Sequence, residues 1–309
     1  MSKIVIALGG NALGNNPAEQ KELVKTPAKK IAQLLKKGHE VLVGHGNGPQ
    51  VGMIFNAFAD AKKVNEKTPM VPFAEAGGMS QGYIGYHMLT ALTNELMHDK
   101  IQKDVLYFLT QTIVDKSDNA FKNPTKPVGP FYKTKEEADK NNPNSVIVED
   151  AGRGYRKVVP SPLPVDFISI NAIKKNFDEG NVVIVGGGGG IPTIFENKEF
   201  VGVDGVIDKD FALSKLATKV NADMFVVLTA VEHVYVNYNK PNQKKLENVS
   251  IKDLETYIKE GQFAPGSMLP KVQAAIAFVK EKKGNVAIIA SLDKLSEAID
   301  GTSGTRIGE

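Results

Sequence analysis

Three short apolar runs in this chain end in glycine and hand over to helix-like text. Ile4–Leu8 meets Gly9-Gly10-Asn11, Val41–Val43 meets Gly44-His45-Gly46-Asn47-Gly48-Pro49, and Val182–Val185 meets Gly186–Gly190. A strand-to-helix turn of this kind leaves backbone N–H groups free to face an anion. In an open parallel sheet such turns share the carboxyl edge of the strands. Several anion cradles on one edge imply that two charged substrates meet there, which is the layout phosphoryl transfer needs. Lys209 adds to this, standing between Asp208 and Asp210 at a predicted helix start. A cation beside helix N-terminal amides is locally unfavourable, and its placement makes sense if a phosphate occupies the same spot. Asp208 is also a sound N-cap and Asp210 a first-turn acid that the helix dipole favours. Both carboxylates therefore have a structural reading beside a functional one, in which they orient lysines or hold metal-bound water.

Two common sources of glycine-rich turns are excluded. A Walker P-loop needs Gly-Lys before Ser or Thr, and the chain has no Gly-Lys dipeptide. A dinucleotide fingerprint needs G-x-G-x-x-G or G-x-G-x-x-A, but Gly46-x-Gly48 leads to Val51 and Gly188-x-Gly190 to Thr193. The catalytic-loop and metal-binding signatures of protein kinases are also missing.

The elements that must carry these turns alternate strand and helix. Strands are expected at Lys3–Leu8, Glu40–Val43 and Val105–Leu109, with helices near Thr26–Lys37, Gln50–Ala61 and Ser80–Met97. Such alternation gives a parallel sheet covered on both faces. The pattern breaks over 117–164, which is rich in Asn, Pro, Lys and Gly and bracketed by Asn123-Pro124-Thr125-Lys126-Pro127 and Pro160-Ser161-Pro162-Leu163-Pro164. A structureless loop of that length is unusual inside a compact domain. It reads as a small inserted subdomain with strands near Ser145–Val148 and Arg156–Val159, suited to act as a lid. The second half resumes with a helix at Asn171–Asp178, a strand at Asn181–Val185, a hairpin at Thr193–Phe195 and Glu199–Val203, and a helix capped by Asp208. A strand at Met224–Thr229 follows, then a helix capped by Ser250, a helix at Ser267–Lys282, a strand at Asn285–Ile289 and a helix at Leu292–Ile299. The whole reads as one domain over 1–309 with the insertion projecting from it.

Composition narrows the class further. The 309 residues are 42% hydrophobic and 24% charged, with a net charge of +3, too small to argue for nucleic acid. With no cysteine, disulfides and thiolate metal sites are excluded. The apolar run after Met1-Ser2-Lys3 is too short for a signal-peptide core, and no run approaches the ~20 apolar residues of a membrane span. A soluble, cytoplasmic protein is expected.

Longer motifs support a family resemblance. They are Leu8-Gly9-Gly10-Asn11-Ala12, Gly46-Asn47-Gly48-Pro49-Gln50-Val51-Gly52, Met79-Ser80-Gln81-Gly82-Tyr83, Pro124-Thr125-Lys126-Pro127, Gly152-Arg153-Gly154-Tyr155-Arg156, Gly187–Gly190 with Ile191-Pro192, Val206-Ile207-Asp208-Lys209-Asp210, and Phe263-Ala264-Pro265-Gly266-Ser267-Met268-Leu269-Pro270-Lys271. In this order the chain resembles the amino acid kinase family, and within it the branch that acts on carbamate, over essentially its whole length. The resemblance implies a three-layer αβα sandwich with a mostly parallel central sheet and a protruding lid, assembled as a homodimer. It also implies reversible phosphoryl transfer between ATP with Mg²⁺ and carbamate, giving ADP and carbamoyl phosphate. In the family this usually runs toward ATP at the end of fermentative arginine or agmatine breakdown. Carbamate is already an anion, so no general base is needed and none of the five histidines has to be catalytic.

By the same resemblance Lys209, with Asp208, serves the transferring phosphoryl group, Lys126 is delivered by the lid, and Lys271 contacts the nucleotide phosphates. Gly9, Gly10, Asn11, Gly48, Gly187, Gly188 and Gly189 ring the carbamate and phosphoryl oxygens. Asp210, Tyr238, Ala264, Pro265 and Met268 complete the nucleotide site, and no residue is assigned as a direct metal ligand. Two positions depart from the family. Many members carry a lysine just before the first Gly-Gly, where this chain has Ala7-Leu8, and Lys126 is the candidate replacement. His45 stands where a small hydroxyl residue is expected. Arg153 and Arg156 have two readings, as anion ligands or as ties within the insertion. The remaining alternatives are a sibling kinase acting on another carboxylate or on a nucleoside monophosphate, and a silent sensor of nucleotide or carbamoyl phosphate.

Overall fold

The computed structural model describes residues 1–9, 13–14, 16–143, 145–150 and 152–308. Lys3–Leu8 shows why the centre is a sandwich. Val5 and Ala7 point into one apolar core while Ile4, Ile6 and Leu8 point into another, the period-2 alternation of a strand with both faces covered. The same split recurs at Val183 and Val185 against Val182 and Ile184. Eight strands build this sheet, in spatial order Asn248–Ser250, Thr305–Gly308, Val286–Ser291, Met224–Thr229, Lys3–Leu8, Glu40–His45, Val182–Val185 and Val105–Phe108. Thr305–Gly308 runs antiparallel to Val286–Ser291, and the other pairings in this sheet are parallel. Helices Lys25–Lys36, Phe73–His98 and Leu295–Ile299 cover one face. Helices Ile170–Asp178, Lys209–Lys219, Ile251–Lys259 and Met268–Glu281 cover the other. This is the sheet covered on both faces that the alternation predicts, and the mostly parallel three-layer αβα sandwich that the resemblance implies.

The three strands that end in glycine are neighbours. Glu40–His45 lies between Lys3–Leu8 and Val182–Val185, with Leu8 beside His45 and Gly44 beside Val185. Their turns therefore open side by side on one edge. Gly44 has a packing reason of its own: a Cβ there would meet the Leu213 side chain at 2.2 Å, so its absence lets helix Lys209–Lys219 sit hard against the sheet.

Beyond that edge lies a second sheet, Glu199–Gly202, Ile191–Glu196, Gln111–Val114 and Pro164–Phe167. The insertion holds a third sheet of Lys126–Tyr132, Tyr155–Val159 and Val146–Glu149. Helix Lys135–Asn141 accompanies it, capped by Thr134. Lys126–Tyr132 is a strand that the proline-flanked text does not suggest. It tolerates Pro127 and Pro130 because it is an edge strand, where missing N–H donors are allowed. Val128 and Val159 of this sheet join Val51, Val71, Phe73 and Ala76 in a third apolar cluster with Phe55 and Phe58 against it. That cluster seats the insertion on helix Gly48–Val64 and on the start of helix Phe73–His98. The latter starts at Phe73 rather than at the expected Ser80, because burial of Phe73 and Ala76 outweighs the low helix propensity of Gly77 and Gly78.

Candidate active site

Helix Lys209–Lys219 starts beside the glycine turns, and its first residues organise the site. Asp208 is its N-cap, with Oδ1 accepting the Asp210 N–H at 2.9 Å. The other oxygen of Asp208 accepts from Lys126 Nζ at 3.2 Å. Lys126 is the first residue of its strand in the insertion. Asp210 is 2% exposed, and its carboxylate accepts from Lys209 through one oxygen and from Lys271 through the other, the latter at 2.8 Å. Lys271 comes from the first turn of helix Met268–Glu281. Thus Lys126, Lys209 and Lys271, from three separate elements, are held by two carboxylates two residues apart. Burial alone would push the Asp210 carboxyl up, but the two ammonium groups together outweigh it and hold it below the usual carboxylate range.

The glycine turn abuts this cluster. Gly187, Gly188, Gly189 and Gly190 all have positive φ, at 73°, 60°, 93° and 91°, a run that residues with side chains do not sustain. Contact forbids side chains as firmly as conformation does. A Cβ on Gly188 would lie 1.9 Å from Asn47 Oδ1, and one on Gly189 would lie 2.6 Å from the Ile207 carbonyl, one residue before Asp208. The Gly188 N–H donates to the His45 carbonyl at 3.0 Å, tying the third turn to the second. Gly48 opens helix Gly48–Val64 with Pro49 in its first turn, and nothing lies within 4 Å of where its Cβ would be. Gly9 backs onto the Leu228 carbonyl at the end of Met224–Thr229. Gly10 and Asn11 lie outside the described residues.

On the far side of Lys271, a pocket of about 460 Å³ opens between the end of Met224–Thr229 and the start of helix Met268–Glu281. Tyr238, Ala264, Met268 and Lys271 line it, as do Thr229 and Tyr235. Tyr238 is 53% exposed, with its ring 5.9 Å from that of Tyr235. Pro265 is exposed in the adjoining turn and does not line the pocket. Asp210 faces Lys209 and Lys271 as their common anchor. The volume suits a nucleoside, and Lys271 links this pocket to the lysine cluster. A larger groove of about 630 Å³ lies along helix Phe73–His98, but none of the predicted site residues lines it.

Arg153 and Arg156 act within the insertion. Arg156 Nη1 and Arg153 Nη2 each bond Asp150, at 3.0 and 2.9 Å, and both guanidinium groups lie over the Phe131 ring at 4.5 and 5.0 Å. His45 is buried and neutral, its pKa lowered to about 4 by loss of solvation, and its Nδ1 faces the Gly46 carbonyl at 2.9 Å. Among the described residues no three His, Cys, Asp or Glu side chains gather to hold a metal ion. Nor is any helix of the described residues long and apolar enough to cross a membrane. The sequence reading missed the buried side chains behind the glycine turn: Asn47, Gln81, Thr110 and Thr112. Asn47 and Gln81 sit inside quoted motifs, yet only the fold brings them under the turn.

A sheet edge of this kind, with three lysines gathered on two carboxylates beside a glycine turn, fits a kinase of the αβα type, and comparison with known sequences agrees. The profile of the amino acid kinase family matches residues 2–290, and the chain belongs to that family. Within it, the chain is similar along its full length to carbamate kinases. It is 62% identical to a carbamate kinase-like protein of Mycoplasma pneumoniae over 307 residues, covering 99% of each chain. It is 49% identical to carbamate kinase 2 of Staphylococcus epidermidis, again over 99% of each. Among solved structures, carbamate kinase from Giardia lamblia bound to AMP-PNP superposes with a TM-score of 0.92 at 43% identity, covering 99% of this chain and 98% of that one. UMP kinase from Bacillus anthracis, at 15% identity and a TM-score of 0.53, shares the fold alone.

Proposed function

We propose that this chain is a carbamate kinase that transfers a phosphoryl group reversibly between ATP and carbamate. The observation that carries the reading is the convergence of Lys126, Lys209 and Lys271 on Asp208 and Asp210, beside glycine amides and an open pocket. An ammonium group has three donors. Each lysine keeps its carboxylate bond and still has donors for phosphate oxygens.

In the forward direction a carbamate oxygen attacks the γ-phosphorus, the bond to the β,γ-bridging oxygen breaks, and ADP leaves with that electron pair. No proton has to be removed from the nucleophile. Catalysis is then alignment and charge neutralisation. Lys209 and Lys126 face the transferring group and Lys271 the nucleotide phosphates. Gly9, Gly48, Gly187 and Gly189 present amides to the acceptor and the phosphoryl oxygens, while the Gly188 N–H stays on the His45 carbonyl. The nucleoside occupies the pocket at Tyr238, Ala264 and Met268. Mg²⁺ would arrive with the nucleotide and would neutralise charge on its phosphates. The sheet of the insertion acts as a lid that holds Lys126 at the site, as here, and opens for nucleotide to exchange.

The same reading gives a cytoplasmic homodimer that makes ATP from carbamoyl phosphate at the end of arginine or agmatine breakdown. Its support is the similarity to carbamate kinases, and, for the dimer, the exposed and uncharged Met79, Tyr86 and Met97 along one helix. The test is ATP formation from ADP and carbamoyl phosphate, with acetyl phosphate and N-acetylglutamyl phosphate alongside. Preference for carbamoyl phosphate is expected, with activity lost to a chelator and restored by Mg²⁺. Preference for another acyl phosphate would favour a sibling kinase, and binding without turnover a sensor.

A further inference from the structure

The turn Gly186–Gly190 rests on buried polar side chains placed behind it. Gln81, fully buried on helix Phe73–His98, clasps the backbone of Thr110. Its Nε2 donates to the Thr110 carbonyl at 3.0 Å, and its Oε1 accepts the Thr110 N–H at 2.7 Å. Thr110 lies where the chain passes from the main sheet to the four-stranded sheet, and it holds both ends of the turn. Its Oγ1 accepts the Gly186 N–H at 3.1 Å, and its carbonyl accepts the Ile191 N–H at 2.9 Å. The hydroxyl proton is already committed to the Phe108 carbonyl at 3.0 Å, so the lone pair offered to Gly186 has a fixed direction. Within the turn, Thr112 Oγ1 donates to the Gly189 carbonyl at 2.6 Å. A Cβ on Gly187 would lie 2.3 Å from Gln81 Cγ, so the turn is laid directly on the Gln81 side chain. Tyr107 completes the support, its hydroxyl donating to the Gln81 carbonyl at 2.7 Å.

We infer that Gln81 and Thr110 are positioning residues for phosphoryl transfer, setting from behind the Gly186–Gly190 turn the direction of its Gly187 and Gly189 amides. The inference rests on the reading given under Proposed function. A cradle of amides lowers a barrier when its donors are aimed before charge develops. A run of left-handed glycines has no side chains of its own to aim it, and loses more freedom on ordering than any other sequence. The aim is therefore supplied by Thr110 at the two ends and by Gln81 beneath. Binding of the nucleoside, in a pocket lined by other residues, does not depend on it.

The test compares Thr110→Val, which keeps the shape and removes Oγ1, with Thr110→Ser, which keeps Oγ1. Both are measured by ATP formation from ADP and carbamoyl phosphate, per folded site counted by AMP-PNP binding. Thr110→Val is expected to lower kcat about tenfold or more, the factor one displaced hydrogen bond gives, with KM for ADP within about twofold. Thr110→Ser is expected to restore most of that kcat. Gln81→Met supplies the second reading if Thr110→Val does not fold, with the same split expected. Equal kcat per folded site in Thr110→Val and Thr110→Ser, or a loss confined to melting temperature or to KM, would overturn the inference while leaving the functional reading standing. A wild-type protein that makes no ATP would overturn both.

Discussion

Asp210 does for two lysines what a phosphate does once substrate arrives. Lys209 and Lys271 are like charges brought close together inside the protein, and such a pair holds only if a carboxylate lies between them. With its pKa depressed, this carboxyl contributes stability that is present above its unfolded pKa and is lost only as pH falls through the lowered value. The anchor therefore stays charged through the neutral range. We predict that kcat shows no step attributable to Asp210 between about pH 5 and pH 9, and that the Asp210→Asn profile runs parallel to and below wild type. Profiles that converge at the acid end would contradict this. Lys209→Ala is expected to lower kcat by about 10²–10³-fold, the usual scale for losing one charge-stabilising donor; an unchanged kcat would remove Lys209 from the mechanism. At this level the sequence spoke clearly where local rules apply. Lys209 between two acids at a helix start is an anomaly that dipole arguments expose. Asp210 was harder to read, because its partner Lys271 is sixty-one positions away and no local pattern joins them.

Elements decide whether these side chains meet. Lys126 stands on an edge strand whose sheet is seated by Val128 and Val159 against Phe55, Phe58 and Phe73, so the place of the lysine is set by that sheet. Lys126→Ala is expected to remove most activity while leaving the melting curve unaltered, since the side chain is only partly buried and its ion pair with Asp208 is exposed enough to be weak. Wild-type activity in that variant would take the insertion out of the mechanism. Gly188→Ala is expected to differ, losing activity together with more than ~1 kcal/mol of stability, because both its positive φ and the Asn47 contact reject a Cβ. Full activity with unchanged melting would show that the turn is not rigid. Glycine runs after apolar strands announced the turns well. The strand Lys126–Tyr132 stayed hidden because its prolines read as loop, and the Gln81–Thr110 support because a buried amide leaves no periodic mark.

The whole molecule places one histidine under unusual constraint. His45 ends a central strand and is fully enclosed, with its folded pKa near 4 against about 6.5 when unfolded. The unfolded chain takes the proton first, so stability is complete above about pH 6.5 and falls below it at up to about 1.4 kcal/mol per pH unit until the folded pKa is reached. His39 and His87, also lowered, act in the same sense. Melting temperature measured from pH 7 to pH 4 should fall more steeply in wild type than in His45→Asn, and equal slopes would contradict the assignment. At this scale the alternation of strand and helix sufficed to predict a parallel sheet covered on both faces, because strands buried on both faces write continuous apolar runs. The order of the strands could not be read that way, and it is the adjacency of Lys3–Leu8, Glu40–His45 and Val182–Val185 that turns three separate glycine motifs into one surface. The most direct measurement is a crystal structure of the protein with ADP, Mg²⁺ and a planar fluoride mimic of the transferring phosphoryl group. The account predicts the Nζ atoms of Lys126, Lys209 and Lys271 and the amides of Gly187 and Gly189 on the phosphate and fluoride atoms, with adenine against Tyr238 and Met268. A mimic bound away from the lysines, with their ammonium groups still paired only to Asp208 and Asp210, would contradict it.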